Sequence, residues 1–335
     1  IYGAALLSAA GWGAALGYSI WPLGWGAFLP LWAAWHLIPV RRNAMLTRAV
    51  GPALLVHAGA YLIAYPWLFY HVTSSGTQAG IAAFLILASL YSLPLIAGGL
   101  LAQRRRLPEA LATWTGGWML VDLLMQYGPW AFPWVASAHA LVDSPGTYTL
   151  TRLGGPVLLT LAIGIMHAVL LYPLRGKTHS VSLLSSPRRT LLVLGGCGAA
   201  MLIATFFPLS NSSTSPPTAT STVWSVQPAL SPLSWSDPSN TDRRAQLVAQ
   251  TEAALDTAAT TPDLIVWPET ALHPPDTRTL QAQVDTWNRP LLTGAVRPTA
   301  TSGVHTNTAL LLKPERPPQQ YDKRHLVPFV EFVPG

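Results

Sequence analysis

The chain has 335 residues, half of them apolar and only 10% charged, with 14 Trp, one Cys and a formal net charge of +6. Soluble domains carry about 25% charged residues, so the composition excludes an ordinary soluble globular protein and points to a membrane class. The basic excess does not mark a nucleic-acid binder, because the early Arg and Lys fall in short loops between apolar segments, and a single Cys excludes an internal disulfide.

Hydropathy divides the first 208 residues into seven segments, at about 1–18, 21–38, 49–70, 79–102, 109–127, 154–174 and 190–208. A hydrocarbon core of about 30 Å needs roughly 20 apolar residues per helix, so each segment is predicted to span a membrane. The first two meet so closely at Trp21-Pro22 that they must form a hairpin. Ile1 to Ser19 has neither a basic n-region nor a clear cleavage site, so no signal peptide is predicted. Because the chain begins at Ile1 without Met, a true N-terminus further upstream is an expectation.

Loop charge sets the orientation. Arg41, Arg42 and Arg48 follow the second segment, Arg104, Arg105 and Arg106 the fourth, and Arg175, Lys177, Arg188 and Arg189 the sixth. The opposite loops hold Arg152 alone. The positive-inside rule makes the basic loops cytoplasmic. Seven crossings then put everything after Leu209 outside.

Within the segments, Asp122 is the notable polar residue, read either as a headgroup or substrate contact or as a carboxylate near a helix end, capped or hydrated at the interface. The loop from Tyr127 to Trp134 is aromatic enough to dip into the outer leaflet, or to serve as an ordinary interfacial belt. His36, His57 and His167 lack ligand-like spacing and read as satisfied core histidines. Cys197 lies mid-segment among Gly and Leu, where apolar burial keeps a thiol inert, so it reads as a packing residue.

Residues 209–221 form a Ser/Thr/Pro linker between a transmembrane domain, 1–208, and an outer domain, 222–335. In the outer domain, Thr222–Gln227 reads as a strand and Asp242–Leu255 as a helix with Leu247, Val248, Ala254 and Leu255 on its apolar face. Asp263–Trp267 reads as a second strand and Thr277–Trp287 as a second helix, followed by strands at Pro290–Ala295 and Thr306–Lys313. This alternation implies an α/β domain with helices covering a sheet. Leu264 to Trp267 has the continuous apolar character of a buried parallel strand. It runs into Pro268-Glu269, which presents a carboxylate at the strand's C-terminal end, where open α/β folds place their chemistry. Lys323 and Glu331 follow in a Pro- and aromatic-rich stretch, Tyr321 to Pro334. Two carboxylates and one ammonium delivered this way look like a catalytic constellation. His325 beside Lys323 has no second ligand at a suitable spacing, so a metal site is rejected.

The segments LIVWPET, PLLTGA, NTALLL and especially YDKRHLVPFVEFVP, with the WPLGWGAFLPLW hairpin and the FPW loop, resemble apolipoprotein N-acyltransferase, a bacterial inner-membrane family of the nitrilase superfamily. The resemblance covers nearly the whole chain. It implies a multi-pass inner-membrane protein whose periplasmic domain is an αββα sandwich, incomplete at its C-terminus, with a Glu-Lys-Cys triad and no cofactor. By position in the motifs, Glu269 would be the general base, Lys323 the oxyanion-stabilising lysine and Glu331 a further glutamate near the site. Trp235 would match, loosely, an aromatic of the acyl pocket. The nucleophilic Cys would lie downstream of the lysine motif, beyond Gly335, so residues 1–335 alone are expected to be inactive and to form no hydroxylamine-sensitive acyl adduct.

The implied substrates are a phospholipid acyl donor and a diacylated apolipoprotein acceptor, with the membrane as the third partner and nucleic acid excluded. The rival readings are a plasmid conjugal-transfer paralogue acting on another amine, a catalytically dead membrane scaffold, and a membrane-tethered amidase.

Overall fold

The computed structural model describes residues 1–66, 77–127, 131–144, 146–174, 221–229, 242–272, 277–299 and 305–326. The chain divides into two compact units, one formed by Ile1–Asn211 with Val327–Gly335 and the other by Ser212–Leu326.

The first unit is helical. Its elements are α1 (Tyr2–Tyr18), α2 (Trp21–Gly24), α3 (Leu29–Leu37), α4 (Met45–Ala64), α5 (Thr77–Ala102), α6 (Leu107–Tyr127), α7 (Thr147–Gly154) and α8 (Pro156–Leu171). The predicted second segment is broken. Pro22 opens α2 and Pro30 opens α3, each in the first turn where a missing N–H costs nothing. The predicted sixth segment is preceded by α7, which meets α8 at a 118° bend. Gly154-Gly155-Pro156 makes that bend, with Gly155 at φ 71°. By length and composition two helical stretches among the described residues can cross a membrane, Arg42–Ala64 and Ile81–Ala102, or three if the bent pair counts as one span. The predicted seventh segment, with Cys197, lies outside the described residues.

The interior of this unit is aromatic. Trp12, Trp32, Trp35, Trp114, Trp118 and Phe28 are all buried. The Phe28 ring sits 5.1–5.2 Å from Trp12, Trp114 and Trp118. Small residues let α1 and α4 touch along their length. A Cβ built on Gly13 would lie 3.0 Å from the Ala60 carbonyl oxygen, and one on Gly17 would lie 2.7 Å from the Ala64 Cα. Since Gly51 lies against Tyr2 at the other end, the two helices run parallel. The outward faces are also apolar: Leu7, Leu46, Leu62, Leu85, Leu93 and Leu120 are exposed.

Charge collects at one end of the unit. Arg105 donates to the carbonyl oxygen of His36 at the C-terminus of α3, and Gln103 donates to the Met45 carbonyl oxygen at 3.2 Å. The other end carries exposed Tyr18, Tyr127, Trp134 and Tyr148. There Tyr65 Oη, just past α4, donates to the Trp134 carbonyl oxygen at 3.0 Å.

Asp122 is not the hydrated helix-end carboxylate that the sequence suggests. It is 4% exposed and accepts from Tyr91 Oη at 2.9 Å, Thr160 Oγ1 at 2.6 Å and the Ser137 N–H at 3.4 Å. It thus joins α5, α6, α8 and the 137–141 turn. The histidines are satisfied on one nitrogen each. His57 Nδ1 meets Ser92 Oγ at 3.1 Å, His167 Nδ1 meets the Ile163 carbonyl oxygen at 2.8 Å, and His36 Nε2 meets the Leu174 carbonyl oxygen at 3.0 Å.

The second unit is a mixed sheet with two helices. Strands β1 (Val223–Ser225), β2 (Leu264–Val266), β3 (Leu291–Pro298), β4 (His305–Lys313) and β5 (Arg316–Asp322) lie side by side in chain order. The first three are parallel and the last two are antiparallel additions. Helix α9 (Asp242–Thr257) precedes β2, and α10 (Thr277–Trp287) precedes β3, as crossovers between parallel strands require. Ile265, Leu291 and Leu312 align across the sheet and are fully buried in one cluster with Leu247 of α9 and Leu280 of α10. Trp267 Nε1 donates to Thr251 Oγ1 of α9 at 3.0 Å, fixing the strand end beneath its helix.

Strand β5 has no counterpart in the sequence reading. It is exposed along its whole length and contains Pro317 and Pro318, which an edge strand tolerates because its outward N–H groups need no partner.

Candidate active site

The site grows from the end of β2. Trp267 N–H donates to the Leu292 carbonyl oxygen at 2.9 Å, and the Pro268 carbonyl oxygen accepts the Gly294 N–H at 3.1 Å. The ladder is interrupted there by Glu269-Thr270, which turns over β3, and it resumes where the Leu272 N–H donates to the Gly294 carbonyl oxygen at 3.1 Å. Thr270 adopts φ 55°, a left-handed conformation that costs a β-branched residue about 1–3 kcal/mol. The turn lies against Gly294, where an added Cβ would come within 2.5 Å of the Glu269 Cα. A glycine inside a strand often marks such a close backbone approach.

Having crossed β3, the Glu269 side chain reaches β4 and the end of β5. Its Oε1 accepts from Asn307 Nδ2 at 2.5 Å and from Lys323 Nζ at 3.0 Å. Lys323 is the first residue after β5. Its N–H donates to the Asn307 carbonyl oxygen at 2.7 Å, while the neighbouring Asp322 carboxylate accepts from Thr308 Oγ1 and lies 3.4 Å from Arg297. Glu269, Asn307 and Lys323 line one pocket of about 430 Å3 with Val266, Leu292 and Tyr321.

The structure therefore brings Glu269 and Lys323 together across 54 residues of sequence. The other two expected site residues, Glu331 and Trp235, lie outside the described residues. Sequence reasoning assigned no role to Asn307 or Gly294, although both stand in the quoted strand motifs. Burial of Glu269 is not observed: its side chain is 61% exposed among the described residues, against 31% for Lys323. An exposed pair of this kind adds at most about 1 kcal/mol to stability, so its value lies in chemistry. A carboxylate beside an apolar wall can accept a proton, and an ammonium within 3.0 Å can offset negative charge that develops on a reacting oxygen.

Residues 4–169, in the helical unit, match the model of the apolipoprotein N-acyltransferase N-terminal domain. Over these residues, just under half of the chain, it is similar to the apolipoprotein N-acyltransferase family. The resemblance read from the motifs is thus supported by a match in the other half of the molecule. A curated relative, apolipoprotein N-acyltransferase 2 of Treponema pallidum (strain Nichols), is 26% identical over 357 residues, an alignment that takes in 93% of this chain. The chain spans about 60% of that relative's length.

Proposed function

We propose that this protein transfers a fatty acyl chain from a phospholipid, through a cysteine thioester, to the α-amine of the S-diacylglyceryl-cysteine of apolipoproteins. The observation that carries the reading is the Glu269–Lys323 pair, 3.0 Å apart in one pocket at a strand end, in a chain similar to this family. In the first half-reaction Glu269 takes the thiol proton as sulfur bonds to the ester carbonyl carbon. Lys323 stabilises the resulting oxyanion, an interaction often worth several kcal/mol. Collapse expels the lysophospholipid alkoxide, which recovers the proton. The lipoprotein amine then attacks the thioester, its proton passing by way of Glu269 to the departing thiolate. The motif resemblance locates the thiol C-terminal to Lys323, not at Cys197, and places Glu331 and Trp235 beside the site.

The same reading makes residues 1–208 a seven-span domain of the bacterial inner membrane, 209–221 a linker, and 222–335 a periplasmic nitrilase-like domain. Apolar outward faces of α1, α4, α5 and α6 support it, because soluble helices turn such faces inward. So does the gathering of Arg105 and its neighbours at one end. The sandwich is supported by α9 and α10 on one face and half-buried Val266, Leu292 and Leu311 on the opposite one.

The test is expression of this protein, extended through the thiol that the motif resemblance locates C-terminal to Lys323, in a bacterium depleted of its own lipoprotein N-acyltransferase, with mass spectrometry of a reporter lipoprotein. The reporter's N-terminal peptide should gain one acyl chain, and Glu269→Gln and Lys323→Ala should each prevent it. A reporter that stays diacylated with the unaltered protein overturns the reading in favour of a scaffold.

A further inference from the structure

Glu269 and Lys323 leave the sheet from β2 and β5, which have two strands between them. The glycine at 294 clears the way over β3, and Asn307 on β4 fills the remaining gap. Asn307 serves both partners. Its side-chain Nδ2 donates to Glu269 Oε1 at 2.5 Å, and its backbone oxygen accepts the Lys323 N–H at 2.7 Å. Lys323 Nζ donates to that same Oε1 at 3.0 Å. Among the described residues, the hydrogen bonds to this carboxylate all fall on Oε1, and Oε2 accepts none. Two donors on one oxygen fix the carboxylate plane and occupy that oxygen's lone pairs, both bonds being charge-assisted by the carboxylate and the one from Lys323 by the ammonium as well.

We propose that Asn307 is a positioning residue that divides the work of the Glu269 carboxylate, holding Oε1 as the anchor and leaving Oε2 as the oxygen that accepts the proton. The nucleophile's proton passes to Oε2 as its electron pair bonds to the acyl carbon. The leaving group takes that proton back as its own bond to the acyl carbon breaks. Which nucleophile and which leaving group these are rests on the acyl-transfer reading above, whereas the assignment of the two oxygens does not.

The test uses Asn307→Ala and Asn307→Asp in the whole chain in detergent micelles. It is read by carbodiimide labelling of Glu269 across pH, because the reagent attacks the protonated carboxyl. Removing a donor to the ionised form disfavours that form, so Asn307→Ala should raise the labelling midpoint by about half a pH unit or more. Asn307→Asp, which sets a second carboxylate against the first, should raise it further. Asn307→Ser, which keeps a short donor, should recover part of the shift, and Thr306→Ala, one residue away, should leave it unchanged. Melting temperatures identify any variant that has lost its fold, and the Ser and Asp variants then decide. Midpoints equal to the unaltered protein's in folded Asn307→Ala and Asn307→Asp overturn the assignment. A protein that transfers no acyl chain yet shows the shift would refute the proposed function and leave the role of Asn307 standing.

Discussion

Gly294 lies against the backbone of Glu269 so closely that a Cβ built on it would come within 2.5 Å of the Glu269 Cα and the Thr270 nitrogen. The contact is backbone to backbone, so no flexible side chain can yield. Gly294→Ala should therefore push the Glu269-Thr270 turn off β3, at about 1–3 kcal/mol for forced overpacking. Expected outcomes are a lower melting temperature and a Glu269 no longer within reach of Asn307, seen as a raised labelling midpoint. A variant that melts and labels like the parent would show that the turn has room.

Removing the charges themselves should have the opposite profile. Glu269→Gln and Lys323→Ala break an exposed pair, so stability should change by no more than about 1 kcal/mol. Lipoprotein acylation should fall by about two orders of magnitude or more in each, the usual scale for a lost acid–base group or charge stabiliser. Denaturation midpoints measured beside the acylation assay separate the two effects. A large loss of stability with intact acylation would make the pair a structural brace.

Asp122 invites the reverse experiment. Asp122→Ala strands the Tyr91 hydroxyl, the Thr160 hydroxyl and the Ser137 N–H without their shared acceptor. At about 1–3 kcal/mol for each buried group left unpaired, discounted for local relaxation, the loss should reach about 2–5 kcal/mol. Asp122→Asn, which keeps one oxygen, should cost less. Thermal unfolding in detergent checks both, and equal melting temperatures for all three proteins would remove Asp122 from the list of structural ties.

Orientation can be tested without any enzymology. A reporter fused after Ser221 should be active only outside the cytoplasm. One fused after Arg105, in the basic turn between α5 and α6, should be active only inside it. The opposite pattern, or activity of both fusions on one side, overturns the seven-span proposal.

Where local sequence decides, the reading and the structure agree closely. Helix α10 runs from Thr277 to Trp287 as its apolar spacing indicates. The short run Leu264–Val266 is a parallel strand with the carboxylate of Glu269 just past its end. Where distant partners decide, the sequence was mute. The burial of Asp122 depends on Tyr91, 31 residues before it, and Thr160, 38 residues after. Strand β5 was hidden because both its faces are exposed, which leaves no alternation to read, and because Pro317-Pro318 looks like a turn. Asn307 gains its role from β4 standing two places from β2 in the sheet, a relation that no residue in NTALLL announces. The α7–α8 bend is the intermediate case, since Gly154-Gly155-Pro156 stands openly in the sequence but hydropathy ignores it.

The parallel contact of α1 with α4 carries a consequence for biosynthesis. Tyr2 rests on Gly51, and Gly17 rests on Ala64, so this seam cannot close along its length until the chain through residue 64 exists. At about 5–20 residues per second, the 46 residues that separate Tyr18 from Ala64 take roughly 2–9 s to appear. For that interval Gly13 and Gly17 lack the helix that fits against them. This seam can nonetheless close before α5, α6 and α8 have been made, and the ribosome sets its timing.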